Sequence, residues 1–216
     1  MRLTFEGEHR SGKGTQIGLH KDANPNLLII RGDGSYQGGL EGVLSADEIK
    51  LREELNGRLY EKNTETVKQH LWAIAARLCV EVVAESKLQD RDILIDRGPL
   101  SRASFLLSNG LEGKELLDSM YPEYRLDTLE GVAEGSRVDI ESIDFGKIYY
   151  LKVPTSVLLG RMSNEDPKYE FRKKNIIEKE GLFEKAIEQM PRSVQSIIEV
   201  IDGNQSPEDV FNSYNS

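Results

Sequence analysis

Phe5-Glu6-Gly7-Glu8-His9-Arg10-Ser11-Gly12-Lys13-Gly14-Thr15-Gln16 decides the fold. An apolar strand, Leu3 to Phe5, runs into a glycine-bearing turn and then into a Lys-Gly-Thr helix start. Gly7, Gly12 and Lys13 fit the phosphate-binding loop pattern G-x-x-x-x-G-K-[ST], with Gly14 where that pattern has Ser or Thr. Such a strand, loop and helix aim backbone N–H groups at one point and bind anions there. The loop residues Gly7, Arg10, Ser11, Gly12, Lys13, Gly14 and Thr15 are therefore expected to hold a nucleotide's phosphates. Lys13 adds a point charge for the outer phosphates. Thr15 supplies the hydroxyl that is missing directly after Lys13.

The remaining composition narrows the classes. The chain has 216 residues, a net charge of −9 and one cysteine. That length suits one α/β domain, residues 1–216, with a full core. An acidic balance argues against nucleic acid or a membrane surface as main partner. Cys79 has no second cysteine in the chain, so neither an internal disulfide nor a cysteine metal site is available. Met1 leads straight into the first strand, and no apolar run approaches membrane-span length, so a cytoplasmic protein is expected.

Going outward from the loop, residues 27–30 form a continuous apolar run, as in a strand buried on both faces of a parallel sheet. It ends at Arg31 and a glycine-rich segment, 32–39, which reads equally well as a connector or as a substrate-facing loop. Residues 45–60, with Ser45 and Glu48 as a capping box, and 64–86 read as helices. Arg77 lies among the apolar turns of the second. Ile93-Leu94-Ile95 then ends in Asp96-Arg97, an acid and a base at a strand's carboxyl end, where open parallel sheets gather ligands. Pro99 suits the first turn of a following helix. A strand at 147–151, a helix capped by Thr155, a helix at 176–190 and a short strand near 199–201 complete five strands. Ser206-Pro207 opens the last helix. Strands alternating with helices predict an α/β fold: a five-stranded parallel sheet with helices on both faces. The cationic segment at about 161–175 is expected to act as a lid.

The loop with its Gly-Lys-Gly-Thr-Gln ending, together with Asp96-Arg97, Ser101 and Phe105, resembles thymidylate kinases within the wider phosphate-loop nucleoside monophosphate kinase group. The resemblance covers most of the chain and is weakest between 110 and 145. It implies ATP and Mg2+ as cofactors. Lys13, Arg10, Asp96 and Arg97 would be catalytic, and Thr15 and Asp96 would serve the metal. Asp202-Gly203-Asn204-Gln205-Ser206 is similar to the loop that passes the adenine, so Asn204, Gln205 and Ser206 are expected there. His9, Arg31, Arg77, Arg97 and Ser101 fall at acceptor-binding positions. Lys168-Tyr169-Glu170 resembles the lid motif, and the related kinases are commonly homodimers.

The chain departs from that family at the acceptor. His9 replaces the Asp that meets the acceptor sugar, Ala73 replaces the aromatic that stacks on thymine, and Gly98 replaces the aromatic after Asp-Arg. The implied activity is phosphoryl transfer from ATP to a nucleoside monophosphate, dTMP or a related pyrimidine nucleotide. Two alternatives are a kinase for a nucleoside or other small hydroxyl acceptor, and a nucleotide-binding regulatory protein without transferase activity.

Overall fold

The computed structural model describes residues 1–31, 36–37, 92–120 and 144–215. The helices expected at 45–60 and 64–86, with Ala73 and Arg77, lie outside the described residues. The sheet has the order β3-β2-β4-β1-β5-β6. Its strands are β1 (Arg2–Glu6), β2 (Leu28–Arg31), β3 (Tyr36–Gln37), β4 (Ile93–Asp96), β5 (Lys147–Lys152) and β6 (Ile198–Asp202). The five strands expected from sequence pair in parallel, and the two-residue β3 adds an antiparallel edge against Ile29 and Ile30. That short edge falls within the glycine-rich segment after Arg31.

Strand alternation divides the core between two layers. Ile148 and Tyr150 of β5 face α2 (Pro99–Ser108), α3 (Gly113–Met120) and α6 (Leu182–Gln189), packing with Leu100, Leu106, Leu116, Met120 and Phe183. Tyr149 and Leu151 point the other way, with Leu3, Phe5, Leu94, Val210 and Tyr214. On that second face lie α1 (Lys13–Ala23) and α8 (Pro207–Asn215). They are joined by Gln16, whose Nε2 donates to Pro207 O at 3.0 Å and whose Oε1 accepts from the Tyr214 hydroxyl at 2.7 Å. β1 alternates too: Leu3 and Phe5 enter the second layer, and the buried polar pair Thr4 and Glu6 points to the first.

Local chemistry explains where elements differ from expectation. Thr155 does not cap its helix. It is the first residue of α4 (Thr155–Gly160), Pro154 holds the cap position, and the Thr155 hydroxyl donates to Glu180 at 2.8 Å. The helix expected at 176–190 is two helices. α5 (Tyr169–Glu178) stops, and Gly181, with φ +76°, starts α6 from a left-handed conformation that glycine adopts without strain. One turn, α7 (Arg192–Gln195), precedes β6. Ser206 caps α8 as expected, its Oγ accepting from Asp209 N at 3.2 Å.

Register levels the carboxyl ends of the central strands: Asp96 lies opposite Phe5 on one side and Arg31 on the other. The entry to β5 is held by Gly146, whose φ is +61° and whose absent Cβ would come within 2.0 Å of Arg2 O. Gly146→Ala is expected to destabilise the protein by about 2–4 kcal/mol, since both the conformation and the contact with β1 forbid a side chain. Urea denaturation measures this; an unchanged midpoint would contradict the close approach.

Candidate functional site

The site begins where β1 ends. Gly7 turns the chain at φ +141°, and a Cβ there would lie 2.8 Å from Leu151 O and 2.7 Å from Ser11 Oγ. Gly12, at φ +100°, is the residue from which α1 starts. Lys13 is buried beneath the loop and donates to Gly7 O at 2.8 Å, Glu8 O at 2.7 Å and Ser11 Oγ at 3.2 Å. Burial, and then the Arg97 charge, push its ammonium down to about 7 against the pull of Asp96, Glu6 and Glu8. Among the described residues, only Arg10 (φ +68°) and Arg97 (φ +74°) are left-handed without being glycine. Each costs on the order of 1–3 kcal/mol, and both are in this site.

A cavity of about 670 Å³ opens above the loop. That volume suits a small molecule, for which pockets run to roughly 300–1,000 Å³. Its floor is the chain from His9 to Gln16; Asp96 and Arg97 enter from β4; Arg161, Gly203 and Gln205 form the far wall; Leu151, Pro207 and Val210 give an apolar shelf. The structure thus brings together His9, Arg10, Ser11, Gly12, Lys13, Gly14, Thr15, Asp96, Arg97 and Gln205 from the sequence-predicted residues. Gly7 lies just beneath, as an acceptor for Lys13. Asn204 and Ser206 flank Gln205 without lining the cavity: Asn204 N bonds Asp202, and Ser206 caps α8. Arg31 is exposed at the end of β2, level with Asp96 but outside the cavity wall. The Ser101 hydroxyl donates to Glu6.

Electrostatics give the cavity its character. The His9 imidazole is pushed down to about 4, first by burial and then by the charges of Arg172, Arg10, Arg97 and Lys13. It is therefore neutral near pH 7, and its Nε2 is buried without a hydrogen-bond partner among the described residues. Asp96 Oδ1 is likewise buried and unpartnered there. The turn before α5 is fastened to the loop through Asp166, which accepts from Arg172 and lies 3.5 Å from Arg10 Nη2. The Lys168 N–H and these guanidiniums hold the Asp166 carboxyl below its usual range.

The sequence places Arg161 only at the start of the cationic segment at about 161–175, with no sign of its place in the cavity. Arg161 ends α4, and its guanidinium bridges the two halves of the cavity, donating to Arg10 O at 3.2 Å and Gly203 O at 3.0 Å. The only signal was a cation after a short helix, which elsewhere marks a solvated helix end. Gly203 is required by the same packing: a Cβ would meet Val153 at 2.7 Å and Ser11 O at 3.2 Å.

No family model and no curated protein sequence matches the chain. Solved structures do. The fold is that of the phosphate-loop kinases. The thymidylate kinase from Candida albicans, a protein described for its broad substrate specificity, superposes with a TM-score of 0.54 at 15% identity, covering 99% of this chain and 90% of that one. The deoxyadenosine kinase from M. mycoides, solved with bound dATP, gives a TM-score of 0.56 at 14% identity over 100% of both chains. Among the described residues no helix is long and apolar enough to cross a membrane.

Glu8, on the underside of the loop, is held up at about 7 by burial, although Lys179, Lys13 and Arg97 pull it down. The unfolded carboxyl ionises near 4.5, so between that pH and 7 the folded state must keep a proton that the unfolded chain releases. Stability contributed below this window is therefore lost as pH rises through it. Glu8→Gln is expected to exceed wild-type stability at pH 8 by on the order of 1–3 kcal/mol, with the gap closing below pH 5. Denaturation midpoints at the two pH values check this; a gap of equal size at both would contradict it.

Proposed function

We propose that the protein transfers the terminal phosphoryl group of ATP to a nucleoside monophosphate, dTMP or a related pyrimidine nucleotide. The observation that carries this reading is the convergence of Arg10, Lys13, Asp96 and Arg97 on one cavity at the mouth of a phosphate-binding loop. The likeness in fold to two kinases supports it. Phosphoryl transfer needs positioning and charge stabilisation more than covalent help from the protein. Lys13 and Arg10 would neutralise the transferred group, and Arg97 would meet an anionic acceptor. Arg77 and Arg31 would complete the acceptor side, and Gln205, with its neighbours Asn204 and Ser206, the nucleotide side. The segment at 161–175 would act as the lid, with Asp166 as its contact to Arg10.

The donor set fits a divalent cation: a carboxylate oxygen on Asp96, buried and unpartnered among the described residues, and an exposed Thr15 hydroxyl at the helix start are hard oxygen ligands. Asp96, through water, and Thr15 would hold magnesium, which when bound neutralises charge on the outer phosphates.

A second reading, transfer to a nucleoside hydroxyl, is favoured by His9. A neutral imidazole exchanges hydrogen bonds with a hydroxyl, whereas the neighbouring cations suit a phosphate.

Lys13→Ala is expected to lower kcat at least a hundredfold with the fold intact, because one preorganised charge contact is worth roughly 3 kcal/mol. Turnover within threefold of wild type would remove the loop from the mechanism. Arg97→Lys separates the two acceptors. Lysine cannot form the paired hydrogen bonds that a guanidinium makes with phosphate. A monophosphate acceptor should therefore bind more weakly by about tenfold or more, with ATP affinity unchanged. A change in kcat alone would favour the nucleoside.

A further inference from the structure

Glu6 is a fully buried acid in the first layer of the core and does not line the cavity. Its Oε1 accepts from Gly98 N at 2.7 Å and Leu100 N at 2.9 Å, and its Oε2 from Ser101 N at 3.2 Å and from the Ser101 hydroxyl. These donors are the first turn of α2 and the residue before it. A carboxylate belongs at a helix N-terminus, where N–H groups lack intrahelical partners and the helix dipole is positive. Here it is supplied from another strand, 92 residues away in sequence from Gly98.

The consequence falls on Arg97. Its own N–H donates to Phe5 O at 2.9 Å, and the next N–H, that of Gly98, donates to Glu6. The last two residues of β1 therefore clamp the chain on either side of the Arg97 Cα, the first through its backbone and the second through its side chain. Between the clamps Arg97 holds φ +74°, a conformation a non-glycine residue keeps only when its surroundings enforce it. Gly98 is part of the device: a Cβ on it would stand 2.4 Å from Thr4 Cγ2 and 3.0 Å from Glu6 Oε1. A side chain there would push the carboxylate off its donors. An apolar residue at position 6 would avoid desolvating a charge. It would also leave the N–H groups of Gly98, Leu100 and Ser101 without this acceptor.

We propose that Glu6 is a positioning residue that clamps the Asp96–Gly98 turn and thereby aims the Arg97 guanidinium at the anionic group of the phosphoryl acceptor. This rests on the kinase reading above. It assigns to Glu6 no contact with substrate.

The test uses the full chain. In Glu6→Asp the carboxylate keeps its charge beside Lys13 but is withdrawn by one methylene from the Gly98, Leu100 and Ser101 N–H groups, so the clamp is weakened without a change of charge. ATP affinity, measured with the protein alone, should stay within threefold. The KM for the acceptor should rise tenfold or more, with a smaller change in kcat. In an Arg97→Ala background the same substitution should change acceptor KM by less than twofold, because its effect passes through Arg97. Equal effects in both backgrounds, or parallel loss of ATP and acceptor binding, would overturn the proposal in favour of a purely structural role.

Hydrogen exchange across residues 96–102 reads the clamp without turnover. Tenfold faster exchange confined to that segment supports the proposal, and unchanged exchange overturns it. If the wild type turns over no acceptor, the kinase reading fails while this readout still judges the clamp. Glu6→Leu removes the acceptor altogether at similar volume. It should show the same exchange pattern if Glu6→Asp does not fold.

Discussion

The parallel pairing of β1 with β4, Phe5 opposite Asp96, is the constraint on which the site depends. It sets the loop after β1 and the acid–base pair after β4 at one level of the sheet. Parallel strands cannot be joined by a tight turn, so each carboxyl end opens to the same side and a helix must begin beyond it. The β1 loop feeds α1, whose N-terminus presents its N–H groups to the cavity. The β4 turn feeds α2, whose N-terminus is occupied by Glu6. One helix start is left for a ligand and the other is closed by the protein itself.

That difference organises the charges. The chain carries a net charge of −9, yet the cavity concentrates Arg10, Lys13, Arg97 and Arg161 around Asp96. Such a density of cations is costly to fold. Burial and then the Arg97 charge lower the Lys13 ammonium, and two arginines are held left-handed. Asp166, drawn between Arg10 and Arg172, offsets part of it. A polyanion would offset more.

The central sheet was legible in the sequence because its strands are continuous apolar runs, which have few alternatives to double burial. The loop was legible because Gly7, Gly12 and Lys13 are each fixed by a separate requirement: a close approach to Leu151 O, a left-handed helix entry and a buried charge. Tertiary partners were not legible. Ser101 reads from the sequence as an acceptor-side residue, with no sign there that its hydroxyl donates to Glu6. Arg161 reads as the first cation of the expected lid segment, and nothing in the sequence shows that its bonds cross the cavity to Arg10 O and Gly203 O. Thr155 read as a cap because its residue type favours caps, and Glu180, distant in sequence, took the hydroxyl instead. The break at Gly181 was written in the chain, but a lone glycine inside a helical pattern does not by itself say whether the helix continues.

The most direct measurement is 31P NMR of the purified protein with ATP and magnesium, adding each nucleoside and nucleoside monophosphate in turn. ADP and a phosphorylated acceptor are expected to appear together, in equal amounts, with at least one of these compounds and not in their absence. ATP that binds but stays intact across the whole panel would contradict the kinase reading.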